Sequence, residues 1–409
     1  MKKLALFLVL TLVFCTFVGC SGKSAPAGTS TAAQSAPAAS GSVTQQSSAP
    51  AGAAGDFDDY KRPQVVPAGT KFKLGAITKD LSSESINRAD HQLKVECAHR
   101  GWDYVPVYYD NEANYNDAFN SLLSQGVQSI VLINPMAVDT HLDLYENARN
   151  QGVGVYSIIG SVNKGIITDI GIPGSVATME LLYRIGNDYN WKLNIAVLRC
   201  DSQLASSERM FPVIGYLQGN FRPNMKLVVT DEISSLLNSL GSSMMAGQQM
   251  ARTWLQKYGD QIGCIFSYGD NGAMGAAEVI KSNGDIHGDK CFTVGIDGGK
   301  QSWSYIRNDA PLKYSYAQPI ELFAHQMAEL VKEVQIDGLN PGDKGCILDK
   351  SGHALYYNGN IITKANVPDI GTSIHQAFSY YDASKTGEDA WWNWKDGPGI
   401  YLVEAYQPK

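Results

Sequence analysis

Apolar residues in this chain gather in short continuous runs separated by stretches with a helical repeat. The runs are Phe72–Ile77, Tyr104–Tyr108, Ile130–Ile133, Val153–Ile159, Ile195–Leu198, Leu227–Val229, Cys264–Phe266, Phe292–Ile296 and Leu312–Ala317. Between most of them the apolar positions recur with the period of an α-helix. Tyr115, Ala118, Phe119 and Leu122 share one face, as do Ile320, Phe323, Ala324, Met327, Leu330, Val331 and Val334. Continuous apolar strands alternating with amphipathic helices predict an α/β fold of doubly wound parallel sheets covered on both faces. Right-handed crossovers then make the carboxyl ends of the strands the ligand-facing edge. From Phe72 onward the chain is longer than one core usually holds, so the pattern predicts two lobes.

The pattern changes ahead of Phe72. Lys2 and Lys3 precede an apolar run, Leu4–Val18, which is too short to serve as a membrane span. It ends in Phe17-Val18-Gly19-Cys20, which resembles the signal peptide of a bacterial lipoprotein, with a small residue before the cysteine. Phe17 departs from that pattern, where leucine is usual. Cys15 follows bulky Phe14 and does not fit. Residues 1–19 are therefore read as the leader and Cys20 as the lipidated residue. Two or more acyl chains, each methylene contributing about 0.8 kcal/mol, make such an anchor stable. Ser21–Gly55 is almost wholly Ala, Ser, Gly, Pro, Thr and Gln, a composition that cannot offset the entropy of ordering. Residues 20–69 are expected to form a flexible linker, and its first 35 or so residues have an end-to-end distance of roughly 30 Å.

Composition narrows the function classes. A net charge of −7 argues against nucleic acid, which basic surfaces bind. Past the linker lie Cys97, Cys200, Cys264, Cys291 and Cys346, with no CxxC pair; they read as buried apolar residues, and Cys264 with Cys291 is the one pair to test for a bridge. Seven scattered histidines without HExxH or paired Cys/His spacing give no support to a metal site, and His91, Cys97 and His99 do not stack on one helix face. Gly269-Asp270-Asn271-Gly272 lacks the lysine and hydroxyl of a P-loop, and there is no Gly-x-Ser-x-Gly elbow. No cofactor is expected.

Several expected strand ends carry the same kinds of residue. Val131-Leu132-Ile133-Asn134-Pro135, Gly269-Asp270 with Ala273-Met274-Gly275-Ala276, Val294-Gly295-Ile296-Asp297-Gly298, and Ala317-Gln318-Pro319 occur in that order. In order and spacing they resemble the sugar-binding, ribose-type (type I) periplasmic binding proteins of ABC transporters, over roughly Phe72 to Val367. The resemblance implies two doubly wound lobes joined by a three-strand hinge that closes on a ligand, with crossings near Ile170, Gln318 and Cys346. It implies an N-terminal lobe of residues 70–170 plus 319–346, a C-terminal lobe of 171–318 plus 347–366, and an extension, 367–409. It also implies a non-enzymatic, monomeric receptor for a monosaccharide or similar polyol that serves an ABC permease at the membrane.

Carried over position by position, Asn134, Asp270, Asp297 and Gln318 fall at ligand-contacting or mouth positions. Arg209, in Ser207-Glu208-Arg209, resembles the second-lobe arginine that holds hydroxyls, although the spacing after it is two residues longer than usual. These residue types suit the task, because carboxylates and amides can each engage two hydroxyls and a guanidinium donates in a planar fork. Each has a plainer reading too. Asp270 and Asp297 could cap helices, Asn134 could form a turn, Gln318 could serve the hinge, and Tyr268 could pack or stack on a ligand. The first connection, Thr78-Lys79-Asp80-Leu81-Ser82-Ser83-Glu84-Ser85, lacks the paired aromatics of many relatives. Ser157-Ile158-Ile159-Gly160 lacks the Asp-Arg pair frequent after this strand. A more polar first-lobe side follows, with Asp80 or Glu84 facing a hydroxyl or amine.

Two other classes have a foothold. Ser161-Val162-Asn163-Lys164 and Lys385-Thr386-Gly387 match two motifs of penicillin-interacting serine enzymes, but the Ser-Asp-Asn motif is absent and Gly165 follows at once where a helix is needed. The same two-lobed body could also act as a sensor for a chemoreceptor or histidine kinase. In the extension, Trp391, Trp392 and Trp394 precede Gly397-Pro398-Gly399 and the apolar Ile400–Val403, and such a cluster reads as packing onto a lobe. A Cys20→Ser chain is expected to bind ligand in solution as the wild type does and to fail in delivery at the membrane. Wild-type uptake by cells carrying it would contradict the tether.

Overall fold

In the computed structural model the described residues are 62–79, 81, 83–109, 111–135, 140–160, 165–349 and 353–394, all within one compact unit. The leader, Cys20, Asp80, Ser161–Lys164 and Ile400–Val403 lie outside them.

Each expected run becomes a strand. The first sheet contains β1 (Lys73–Thr78), β2 (Asp103–Tyr108), β3 (Ser129–Ile133), β4 (Gly154–Ile158) and β5 (Asp169–Gly171). The second contains β6 (Leu193–Arg199), β7 (Met225–Glu232), β8 (Cys264–Ser267), β9 (Phe292–Asp297) and β10 (Leu312–Ala317). Two short strands follow, β11 (Ala354–Tyr356) and β12 (Asn360–Ile362). The orders are β11-β5-β4-β3-β1-β2 and β12-β10-β9-β8-β6-β7, with every pairing parallel except β10 with β12. Strand order reverses between β1 and β3 and between β6 and β8, which opens a crevice at the carboxyl edge of each sheet.

Helices α1 (Glu84–Arg100), α2 (Tyr115–Ser124) and α3 (Leu142–Asn150) belong to the first sheet. Those of the second are α4 (Gly174–Asp188), α5 (Leu204–Gln218), α6 (Ser234–Leu240), α7 (Ser243–Tyr258), α8 (Asp270–Ser282) and α9 (Lys300–Arg307). Helix α10 (Ile320–Gln335) returns to the first, packing on α1, β4 and β5. The apolar faces expected on α2 and α10 are buried throughout. α1 ends as local chemistry dictates: Gly101 takes a left-handed conformation, φ +69°, and the Trp102 amide bonds back to the Cys97 carbonyl at 2.8 Å.

The lobes exchange chain at three places. Ile172 and Pro173 lead from β5 to α4, Gln318 and Pro319 from β10 to α10, and Tyr357–Gly359 from β11 to β12. The third crossing therefore lies at 357–359, not near Cys346, and 347–366 is divided between the sheets instead of lying in the C-terminal lobe. Hydrogen bonds explain the difference. The Ile347 amide donates to Glu333 at 2.8 Å and the Leu339 amide to the Glu333 carbonyl at 2.8 Å, which keeps this stretch on the end of α10 until β11 joins β5. The linker also ends earlier than residue 69, because the Gln64 and Val66 amides already bond to Gly152 and Gln335 of the first lobe, each at 2.7 Å.

All five cysteines in the described residues are free, and Cys264 and Cys291 are not bridged. Cys264 pairs in register with Phe292, so the next residue back, Cys291, projects to the other side of the sheet. The extension is packed, and on both lobes. Ile374 and Phe378 enter a cluster with Trp303, Ile306 and Met274 of the second lobe. Trp391 and Trp392 pack beside Leu322 of the first.

The polar centre of the body is a buried ion pair. Arg88 of α1 grips Glu321 of α10 through two hydrogen bonds of 2.7 Å, and neither side chain has any exposed surface. Removing one partner of such a pair leaves a bare buried charge and costs roughly 3–5 kcal/mol. Glu321→Ala is therefore expected to lose stability on that scale in urea denaturation, and Arg88→Met with Glu321→Leu to recover most of it. A loss near the roughly 0–1 kcal/mol of exposed pairs would show that Arg88 finds another partner.

Candidate functional site

Four of the expected site residues meet where β9, β10 and α5 converge. Arg209, on α5 of the second lobe and almost wholly buried, donates from Nη1 to the Tyr268 carbonyl at 3.2 Å and from Nη2 to Gln318 Oε1 at 3.4 Å. Its Nη1 lies 3.6 Å from Asp297 Oδ1. Gln318, in the second crossing, donates from Nε2 to the same Asp297 oxygen at 2.7 Å, and its amide bonds the Asp297 carbonyl at 3.0 Å. These contacts hold Asp297 at φ +131°, a conformation few residues other than glycine adopt. The next residue has to be small: a Cβ on Gly298 would lie 2.2 Å from that of Ala317. Arg209, Asp297 and Gln318 thus form one network that fixes the second lobe to a crossing strand.

Asn134 stands apart from this network at the end of β3. It takes a left-handed conformation, φ +47°, which asparagine tolerates, and its amide bonds the Ile158 carbonyl at 2.8 Å. Its side chain is half-buried at the first-lobe crevice.

Two of the expected residues make their contacts within the protein. Asp270 faces inward: its Oδ2 accepts the Gly298 and Gly299 amides at 2.9 and 3.3 Å, and Ser315 Oγ lies 2.7 and 2.9 Å from its two oxygens. It does not cap its own helix, and instead holds the β9 loop that carries Asp297. Tyr268 packs its ring into the main core cluster, and its carbonyl, not its ring, enters the Arg209 network. Asp80 lies outside the described residues. Glu84 reaches across to the second lobe, where its carboxylate accepts the Lys300 amide at 2.9 Å and the Gln301 amide at 3.5 Å, capping α9.

Residues not singled out from the sequence complete the site. A cavity of about 20 Å³, room for one water, lies between the lobes at the first crossing, lined by Gly160, Asp169, Glu208, Arg209 and Tyr356 among others. Asp169 is buried and accepts the Gly160 amide at 2.8 Å. Its signal was a single acid inside the apolar run Ile166–Ile172. Arg88 had no such signal, because α1 reads as polar although most of it is buried. Besides gripping Glu321, Arg88 donates to the carbonyls of Gln318 at 3.2 Å and Gly298 at 3.5 Å, so it supports the backbone on either side of the Asp297 network.

Charge is concentrated here on one sign. Burial pushes the Asp169 carboxyl up to about 6, against the Gly160 hydrogen bond and with help from Glu208. Burial also raises Glu208, with Arg209 opposing. Asp297 rises to about 7, chiefly through burial; Arg209 lowers it and Asp270 raises it. Burial draws Lys300 down to about 8 while Glu84 holds it up. Such a site gains from donors that lie against its carboxylates. Among the described residues no group of three or more His, Cys, Asp or Glu is arranged to hold a metal ion.

Comparison with known proteins gives a consistent picture. A family model described as a periplasmic binding protein domain matches residues 74–338. The ribose import binding protein RbsB of Bacillus subtilis (strain 168) is 25% identical over 268 residues, 64% of this chain and 82% of that protein. A sugar ABC transporter structure from Yersinia enterocolitica subsp. enterocolitica 8081 superposes with a TM-score of 0.64 at 18% identity, over 80% of this chain and 96% of that one. The periplasmic binding component of the arabinose ABC transporter from Shewanella sp. ANA-3, bound to α- and β-L-arabinofuranose, gives 0.59 at 17%, over 72% and 92%. At these identities the two structures share a fold with this chain.

The raised Asp297 carboxyl has a consequence in solution. A carboxyl whose folded pKa exceeds its unfolded value binds its proton more tightly when folded, so its contribution is full in acid and is lost as pH rises from 3.8 towards about 7. Wild type is expected to lose melting temperature relative to Asp297→Asn between roughly pH 4 and 7, with the two curves parallel above that window. Curves parallel throughout would place the Asp297 pKa near its ordinary value.

Proposed function

The chain belongs to the periplasmic binding protein family, and from that premise we propose that it is a solute receptor closing its two lobes on a monosaccharide or similar small polyol. It delivers that solute to an ABC transporter permease. The observation that carries this reading is the Arg209–Gln318–Asp297 network, in which Gln318 hydrogen-bonds both a guanidinium and a carboxylate that themselves form an ion pair at a crossing between the lobes. These groups satisfy one another with the lobes together. A ring carrying vicinal hydroxyls can replace those contacts one for one, accepting from Arg209 and Gln318 and donating to Asp297.

From the first lobe, Asn134 and Asp169 supply the opposing polar groups. Asp270 and Arg88 act as positioning residues behind the contact surface. The 20 Å³ cavity is far smaller than a sugar ring, so entry requires the lobes to part, and binding converts solute affinity into lobe position. The protein is read as a monomer that performs no catalysis. It works outside the cytoplasm, held to the membrane by lipid on Cys20 through the linker. The names of similar proteins, a ribose import protein and an arabinose transporter component, favour transport over sensing.

A thermal-shift screen over pentoses, hexoses, inositol, amino sugars and nucleosides tests this. A true ligand at a hundred times its dissociation constant adds roughly 2.7 kcal/mol to stability. The shift is expected to vanish in Arg209→Ala. Silence across all polyhydroxy compounds, with a shift from an amino acid or peptide, would overturn the reading.

A further inference from the structure

The C-terminal segment is attached to both moving parts of the molecule. Ile374 and Phe378 are buried in the cluster of the second lobe. Further along, Trp391 stacks on His325 of α10 at 4.4 Å and Trp394 on His99 of α1 at 3.6 Å, both in the first lobe. Tyr380 stands between and packs against both clusters. Its hydroxyl lies 2.8 Å from Nδ1 of His375, which is fully buried. A tail that packed on one lobe alone would ride with it. This one has an anchor on each.

We propose that residues 367–394 form a strap that ties the lobes together and biases the protein toward its closed arrangement, with Ile374 and Trp391 as anchors and Tyr380 as the junction. The strap meets both lobes in the same arrangement in which Glu84 caps α9 and Arg88 reaches the Gly298 carbonyl, so all these contacts support one lobe position. Chain length sets no limit. The twelve residues 379–390 between Phe378 and Trp391 could span about 40 Å if extended, so the anchors can stay seated while the lobes part. What opening disturbs is Tyr380, which has to leave one of its two apolar clusters and expose buried ring surface to water. A receptor whose competent state is a fraction of the whole binds with its intrinsic affinity scaled by that fraction, so by setting the balance between parted and closed lobes the strap tunes capture without touching the solute. Trp391 and Ile374 are thus positioning residues, and the proposal holds whatever the solute proves to be.

The amides of Lys300 and Gln301 report lobe opening directly, because they begin α9 and their partner is Glu84 of the other lobe. Hydrogen exchange followed by mass spectrometry on the protein without added solute reads them. Trp391→Ala and Ile374→Ala are each expected to speed exchange at 300–301 about tenfold, a coupling of ordinary size, while amides within β3 and β8 keep their wild-type rates. Unchanged exchange at 300–301 in either folded variant overturns the strap. Equal acceleration across the chain also overturns it, since that marks global destabilisation. If Trp391→Ala fails to fold, Trp394→Ala, which removes only a half-buried stack, is read in the same way. Titration with D-ribose and L-arabinose adds an independent arm: where either binds, the variants should bind with an affinity altered by the factor by which opening increases, and unchanged affinity would count against the bias.

Discussion

Two residues, Gln318 and Pro319, separate a central strand of the second lobe from a core helix of the first, and much of the molecule is arranged around that short crossing. A connection so short fixes the end of β10 against the start of α10. Arg88 makes the joint rigid by holding the Gln318 carbonyl while it grips Glu321 on the first turn of α10. The Gln318 side chain faces the other way, into the Arg209 and Asp297 contacts. One residue therefore belongs at once to the hinge and to the Arg209–Asp297 network. Lobe movement cannot leave the site geometry unchanged, which is what a capture device requires.

The cost of this arrangement is electrostatic. Asp169, Glu208, Asp270 and Asp297 are crowded near one crevice, with Arg209 as the cation in contact with Asp297. Asp270 is stabilised internally by two amides and a hydroxyl, whereas Asp169 and Glu208 line the cavity with their acidity weakened by burial. Burial thus costs these carboxylates solvation that the lobes, packed together, bear alone. Of the described first-lobe acids, Asp169 is the one that lines the cavity.

The extension adds a second connection between lobes that already share three crossings. Crossings act through the backbone and constrain the axis of movement. The aromatic contacts of Tyr380, Trp391 and Trp394 act through side chains and set how readily that movement occurs. Flexibility at the hinge and resistance across the lobes are separate quantities, and here they reside in separate parts of the chain.

The fold was legible in the sequence to the extent that it depends on local period. A run such as Ile130–Ile133 can only be buried on both faces, and the spacing in α10 leaves one apolar side, so strands, helices and their layered packing followed directly. Asp297 and Gln318 stood out because their motifs fall at strand ends, whereas Arg209, within α5, stood out only through the resemblance of Ser207-Glu208-Arg209. Local pattern could not say where a polar side chain finds its partner. Asp270 turned inward because Ser315 and the Gly298 loop come to it from other strands, and Arg88 became the central staple because α10, more than two hundred residues away, brings Glu321. The third crossing moved to 357–359 because β11 had an unpaired edge of β5 to join. The sequence by itself determined which surfaces are buried, since burial follows from the spacing of apolar residues. Only the tertiary structure decided which charges meet and which segments tie the lobes, because those depend on partners that the chain brings together only when it folds.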